Sequence, residues 1–372
     1  MTSDLTPTGP VIPDRIRSAR QLRGLTQREV VDSMPERHRV TPAALSQLES
    51  GATSPSPGTV RGLAVALDVP EAFFRARWRD DDLLEGRAPT FFRHLRSTAK
   101  RDRMQAEAVA GLVFDLVGLL KADVRLPEVD VPNADVGMDA DADEVIEAAL
   151  LVRHAWGLDD RPVDNVVRLI ERHGVPVVRL HLGKAKIDAF SVSSHERPVV
   201  VLTDDKWAYA RSRFDAAHEL GHLVMHRDHQ PGSMLLEKQA HIFASELLMP
   251  TEVAAEVLPT RMDNSGWRQL ASLKQEWGMS MAALLMKCRA VGKISPSAYV
   301  NAMKAMSARG WRQTEPGDRE LGPPERPVLL KRAVRRAAEE LDLEPDEYLR
   351  LSGLPVDDCR ELLVHQRPAV DL

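Results

Sequence analysis

Cysteine is nearly missing from this chain: only Cys288 and Cys359 occur among 372 residues. Two cysteines so far apart build neither a disulfide framework nor a Cys-x-x-Cys metal site. Cys288, within Leu284-Leu285-Met286-Lys287-Cys288, reads as an ordinary helix residue. Long apolar runs are missing too. No stretch approaches 18 apolar residues, which argues against a transmembrane helix. The start, Met1-Thr2-Ser3-Asp4-Leu5-Thr6-Pro7, lacks the charged and apolar parts of a signal peptide, so the expectation is a cytoplasmic protein with no membrane contact. There is no excess of basic residues: the formal net charge is -5 and the pI near 6.2. That excludes a protein coated with positive charge and confines any nucleic-acid contact to a local surface. Internal repeats and a phosphate-cradling nucleotide loop are also absent. What remains is a chain long enough for two or three domains, with 43 % hydrophobic residues to form ordinary cores.

The stretch that carries chemistry is Phe214-Asp215-Ala216-Ala217-His218-Glu219-Leu220-Gly221-His222-Leu223-Val224-Met225-His226, a His-Glu-x-x-His motif inside an unbroken helical pattern. Positions four apart share one helix face, so His218 and His222 can present two imidazole nitrogens to one zinc ion at about 2.0 to 2.1 Å. Glu219 then stands beside the metal, placed to take a proton from a water without being a ligand. Two surface histidines on an ordinary helix are the alternative, and a third ligand decides between them. His226 lies roughly 12 Å from His218 along a straight helix and reads as the helix's last turn. A metzincin arrangement needs Gly at position 225, where the chain has Met225, and a ligand at position 228, where Asp228 stands. Further on, residues 237–250 form a second helical run that ends at Pro250, with Ala240, Phe243, Ala244, Leu247 and Leu248 at core-facing spacing. Glu237 starts that run, and a helix packed on the first can deliver its carboxylate to the metal. Glu246 is the rival, although beside Leu247 it reads as part of a solvated face.

His-Glu-Leu-Gly-His followed by Glu-x-x-Ala-x-x-Phe-Ala-x-Glu-Leu-Leu-Met-Pro resembles the ImmA/IrrE family of zinc metallopeptidases, over roughly residues 145 to 295. The resemblance implies His218, His222 and Glu237 as metal ligands and Glu219 as general base. It also implies a repressor-like protein substrate, since members cleave Cro/CI-type repressors. The chain departs from the pattern at one place, with His241 where the family usually has Asn. An imidazole must replace whatever the amide does for ligand orientation, and such supporting groups change affinity or activity by about 10 to 100-fold.

The N-terminal region supplies the local nucleic-acid surface. Asp14 to Arg23 reads as a helix with Ile16, Ala19 and Leu22 inward and Arg15, Arg17, Arg20 and Arg23 outward. Thr26 and Glu29 form a capping box for a second helix, with Val30, Val31 and Met34 facing the core. A third helix runs from Thr41 to Glu49, with Pro42 at its first position and Gly51 past its end. Its exposed face is small and polar, fit for a major groove. Leu25-Thr26-Gln27, Leu45-Ser46-Gln47-Leu48-Glu49-Ser50-Gly51 and the run Ser54 to Val69 resemble the Cro/CI (XRE) helix-turn-helix family over about residues 12 to 76. That resemblance implies contact with a double-stranded DNA operator through Gln27, Thr41, Ala43, Ala44, Ser46 and Gln47. In the long loop before the third helix, Arg37 and Arg39 suit phosphates. The alternative is a helical bundle that contacts only protein.

Between these regions stand Phe91-Phe92-Arg93-His94-Leu95-Arg96 and a helical run from about Lys100 to Ala122, whose Lys100, Arg101 and Arg103 read as a solvated helix start. A Pro- and Asp-rich stretch from Leu126 to Asp143 reads as an extended linker. Helices are expected near 143–157, 162–174, 251–257, 265–276, 280–290 and 295–309, with strands at 175–180, 187–192 and 198–203. The tail from Glu315 to Pro327 reads as a polar, Pro-rich loop. The expected fold is mainly α with a small sheet (α+β): a disordered tail (1–11), a five-helix DNA-binding bundle (12–76), a helical connector and linker (77–142), a zincin-like peptidase domain (143–310), and a C-terminal loop with short helices (311–372). The function expected is a DNA-binding transcriptional regulator, as a homodimer, with a zinc-dependent endopeptidase domain. The competing expectation keeps DNA binding and makes that domain a non-catalytic sensor or dimerisation module.

Overall fold

The computed structural model describes residues 6–76, 100–180, 189–192, 197–203, 208–227 and 233–363. Phe91 to Arg96 and Asp228, singled out above, lie outside them.

Local capping chemistry sets the first helices. α1 (Pro13–Leu22) opens on a proline, whose missing N–H costs a helix start nothing. Thr26 and Glu29 close the reciprocal capping box on α2 (Gln27–Ser33). Thr41 and Ser56 each accept a backbone N–H at the starts of α3 (Pro42–Glu49) and α4 (Pro57–Leu67). The fifth element of the expected bundle is a 3-10 turn, Glu71–Arg75, and not an α-helix. It is a single short turn that ends once Phe73 and Phe74 are buried.

One face of α1 differs from its expected polarity. Arg15 is only 3 % exposed, because α5 (Lys100–Asp123) packs on α1 and its buried Asp115 takes a two-pronged ion pair from that guanidinium. Arg15 Nε also donates to the Ala76 carbonyl at 2.9 Å. Helical periodicity within α1 cannot reveal a partner a hundred residues away.

The sheet joins the two halves of the chain. Its strands β1 (Val177–Leu180), β2 (Ala189–Val192) and β3 (Val199–Thr203) lie in the order β1-β3-β2, with β1 parallel and β2 antiparallel to β3. Both faces are buried, which suits the near-continuous Val-Val-Val-Leu run of β3. Alternate residues point to opposite sides. Val178, Leu180, Phe190, Val192, Val199 and Val201 enter a core shared with α5, the N-terminal bundle and the C-terminal helices. Val177, Val200 and Leu202 enter a second core beneath α8 (Tyr209–Met225).

Around that second core stand α6 (Ala142–Ala155), α7 (Val166–Arg172), α9 (Met234–Leu248), α10 (Thr251–Val257), α11 (Asn264–Trp277), α12 (Met281–Ala290) and α13 (Pro296–Ala308). α7 starts later than its pattern suggests, where Asn165 caps it. The linker does not float free. Ala134 N–H donates to the Val224 carbonyl of α8, and Trp156 Nε1 donates to the Asp130 carbonyl, both at 3.0 Å.

The expected polar loop 315–327 carries a short helix, α14 (Asp318–Leu321), and folds back on α8. Buried Glu325 pairs with Arg213 of α8 and accepts the Val167 N–H. The last helices, α15 (Leu329–Glu340), α16 (Pro345–Leu351) and α17 (Val356–Leu363), return to the N-terminal side. There Asp358 pairs with Arg23 at 2.5 Å and the Tyr348 hydroxyl donates to Asp123 at 2.6 Å. No helix among the described residues is long and apolar enough to cross a membrane.

Candidate metal centre and nucleic-acid face

The site is built where α8 and α9 cross. Close approach is possible because Gly221 sits within the His-Glu-x-x-His motif: a Cβ there would meet the Phe243 ring at 2.9 Å. Ser233 caps α9 by accepting the Leu235 N–H, and Glu237 follows in the first turn. The fold thus brings together His218, His222 and Glu237, whose ligand atoms all lie within 4.8 Å of one another. Nε2 of His222 is 3.1 Å from Nε2 of His218. The two Glu237 oxygens stand 3.3 Å from His218 Nε2 and 3.5 Å from His222 Nε2. A tetrahedron with metal–ligand bonds of 2.0 to 2.1 Å has edges of about 3.3 Å; the His–His separation is close to that, and each histidine nitrogen has a different Glu237 oxygen at a similar distance, so the three side chains suit a zinc ion.

His226 is more than a last turn. It ends α8, is fully buried, and brings its Nδ1 to 2.9 Å from Nδ1 of His222. Its Nε2 stands 2.9 Å from Oε1 of Gln239, whose amide nitrogen donates to the Gly137 carbonyl at 2.8 Å. These contacts order the tautomers. The Gln239 oxygen accepts from His226 Nε2, leaving His226 Nδ1 to accept from His222 Nδ1 and His222 Nε2 with its lone pair toward the ligand cluster. The four-residue spacing of His222 and His226 puts them on one helix face, but Gln239 and Gly137 meet them only in the packed fold, so sequence spacing held no signal for that part of the chain of contacts. His218 has no such support: its Nδ1 is buried without a hydrogen-bond partner among the described residues.

Glu219 is 2 % exposed and accepts the Ser191 hydroxyl of β2 at 2.7 Å. Burial pushes its carboxyl up to about 7, against the opposing pull of His218 and the Ser191 hydrogen bond. Burial disfavours charge on His218, yet its hydrogen bond to Glu237 and the nearby Glu219 and Asp215 raise it overall. His241 lies across the His218 ring at 5.4 Å between centroids and against Phe214 at 4.8 Å. Burial and the charge of His218 lower its basicity.

Glu246, expected on a solvated face, is buried. Its carboxylate pairs with Lys287 of α12 at 2.5 Å and accepts both the backbone N–H and the hydroxyl of Thr251, at the start of α10. A carboxylate so fully engaged is a structural tie rather than a third ligand.

On the N-terminal bundle, Thr41, Ala43, Ser46 and Gln47 are exposed on α3 and Ala44 is half-buried. The Thr41 hydroxyl is spent on capping, accepting the Ala44 N–H at 3.2 Å. Gln27 is half-buried and donates to Glu49 at 3.0 Å; Glu49 in turn is gripped by Arg20 at 2.6 and 2.8 Å. Gln27 therefore locks α2 to α3 and reaches outward less than the α3 side chains do. Arg37 and Arg39 are exposed, Arg39 donating to the Met34 carbonyl at 3.2 Å.

Comparison with known families decides what these two constructions are. Residues 16–74 match the helix-turn-helix family model, and residues 170–289 match that of the IrrE N-terminal-like domain of peptidase M78. The chain is a helix-turn-helix domain fused to an IrrE-like domain. Both matches fall inside the spans over which the sequence motifs resemble those families. The IrrE-like match begins in α7 and ends in α12, so it takes in the sheet, the metal helix and Glu237. The helix-turn-helix match begins within α1 and takes in α2 to α4 and most of the 3-10 turn. No curated protein matches the chain.

Proposed function

We propose that this protein is a cytoplasmic transcriptional regulator that binds operator DNA through α3 and cleaves a repressor-like protein with a zinc-dependent endopeptidase site. One observation carries the enzymatic reading: two imidazoles and a carboxylate whose ligand atoms lie within 4.8 Å of one another, with a buried carboxylate next in sequence to one of them and aimed by a serine hydroxyl. Zinc held by His218, His222 and Glu237 would supply Lewis acidity, polarising a peptide carbonyl and making a water more acidic. Glu219 takes the proton from the attacking water as the oxygen–carbon bond forms, and passes it to the amide nitrogen as the carbon–nitrogen bond breaks. Ser191 keeps one Glu219 oxygen oriented through both transfers. Ser46 and Gln47 are the exposed polar side chains of α3 suited to base edges, and Arg37 and Arg39 suit phosphates. Each chain offers one recognition helix, so tight binding calls for a homodimer on a two-fold operator. The substrate is a Cro/CI-type repressor, another protomer or the chain's own linker.

The test is Glu219→Gln in the zinc-loaded protein. This variant keeps its zinc and its fold and cuts no repressor that the wild type cuts; equal cleavage by both removes Glu219 from the mechanism. A second reading, a zinc-bearing sensor without turnover, draws on His241 in place of the family's usual amide. It prevails if the wild type cuts no repressor under any condition while zinc is bound.

A further inference from the structure

Beside the metal centre, α8, α9, α12 and α13 enclose a cavity of about 380 Å³. Phe214, Leu248, Met279, Met286, Tyr299 and Met303 make most of its wall apolar, with Arg211 and Asp215 as its charged groups. His241 belongs to that wall and also faces His218, with ring centroids 5.4 Å apart. Cavity and metal centre therefore share one side chain as their partition. An extended peptide advances about 3.3 to 3.6 Å per residue. A chain whose carbonyl lies at His218 thus places an adjacent side chain at the cavity within one or two residues.

We propose that this cavity is the specificity subsite of the endopeptidase, receiving a large apolar side chain next to the cleaved bond. The proposal rests on the proteolytic reading above. Its chemistry follows from the wall. An apolar wall gains from covering leucine, methionine or phenylalanine and strips water from most of a charged side chain, with Arg211 and Asp215 as the wall's charged groups. Three methionines at the wall make it adaptable, so the preference is for apolar bulk and not for one shape. Ala282 and Ala283 of α12 keep the space open, and a larger residue at either position fills it.

Peptides from a tryptic digest of a bacterial lysate, incubated with the zinc-loaded protein and identified by mass spectrometry, test this. The wild type is expected to cut beside leucine, methionine or phenylalanine at one fixed position, with at least tenfold enrichment over alanine. Ala283→Phe should move that preference to alanine, serine and glycine. Met286→Ala enlarges the cavity and should move it toward tryptophan and tyrosine, and this keeps the test decisive if Ala283→Phe fails to fold. A preference unchanged in both variants overturns the subsite and returns the cavity to a small-molecule or purely packing role. If the wild type cuts nothing, the proteolytic reading fails separately. The same peptides passed over immobilised zinc-loaded Glu219→Gln then judge the cavity: retention enriched in those residues and lost in the Ala283→Phe background supports it, and retention without that bias overturns it.

Discussion

His226 stands with its Nδ1 2.9 Å from Nδ1 of His222, and that contact leaves the other nitrogen of His222 with its lone pair toward the ligand cluster. His226→Ala or Gln239→Ala is expected to weaken zinc binding by about 10 to 100-fold while leaving the fold intact. His218→Ala and Glu237→Ala should instead abolish a stoichiometry of about one zinc per chain. Competition against a graded series of chelators reads both effects. Unchanged affinity in His226→Ala removes it from the site, and full occupancy in Glu237→Ala rejects that residue as a ligand.

The exposed face of α3 makes a separable prediction. Gln47→Ala should cost about 1 to 3 kcal/mol at the specific operator and little on random DNA, because base contacts specify while phosphate contacts position. Arg39→Ala should weaken both alike and flatten the salt dependence. Footprinting and titration at several salt concentrations check this, with half-sites expected roughly 34 to 36 Å apart. A Gln47→Ala variant indistinguishable from wild type on every DNA would make the bundle a protein-binding module.

Arg15 and Asp115 tie the helix-turn-helix bundle to α5 through an ion pair with both side chains buried. Removing one partner strands a charge in the core, so Asp115→Ala should cost about 3 to 5 kcal/mol in urea unfolding. Arg15→Met combined with Asp115→Leu should recover most of that loss. Equal destabilisation by the single and double variants would mean that packing at this site, and not the stranded charge, dominates.

Glu171 gives a pH dependence. Buried beneath α15, it accepts the backbone N–H groups of Val328 and Leu329, and burial pushes its carboxyl up to about 7. A raised carboxyl means that the folded state binds its proton more tightly than the unfolded chain does. Its contribution is therefore fully present below the unfolded value near 4.5 and is lost as the pH rises to about 7. At about 1.4 kcal/mol per pH unit, the loss is up to about 3 kcal/mol. Glu171→Gln should remove this component, so its stability relative to wild type should climb between those two pH values and then level off. A difference that stays flat with pH refutes the assignment.

What the chain determined by itself is local. The capping box at Thr26 and Glu29, the prolines opening α1, α3 and α4, and the four-residue spacing of His218 and His222 each need only neighbours within one helical turn. Period and capping therefore place most helices and all three strands within a few residues. The helix that carries Glu237 was also legible, although it opens earlier, at Met234, so that Glu237 stands in its first turn and not at its start. The tertiary structure decided whatever needed a partner far along the chain. Arg15 looked like a solvent-facing arginine until α5 brought Asp115 to it, and Glu246 looked solvated until α12 brought Lys287. His226 looked like a helix end until Gln239 and Gly137 gave its two nitrogens opposite roles. A buried charge or a fixed tautomer is a property of groups that meet only when helices pack, because local backbone periodicity encodes which way a side chain points but not what stands opposite it.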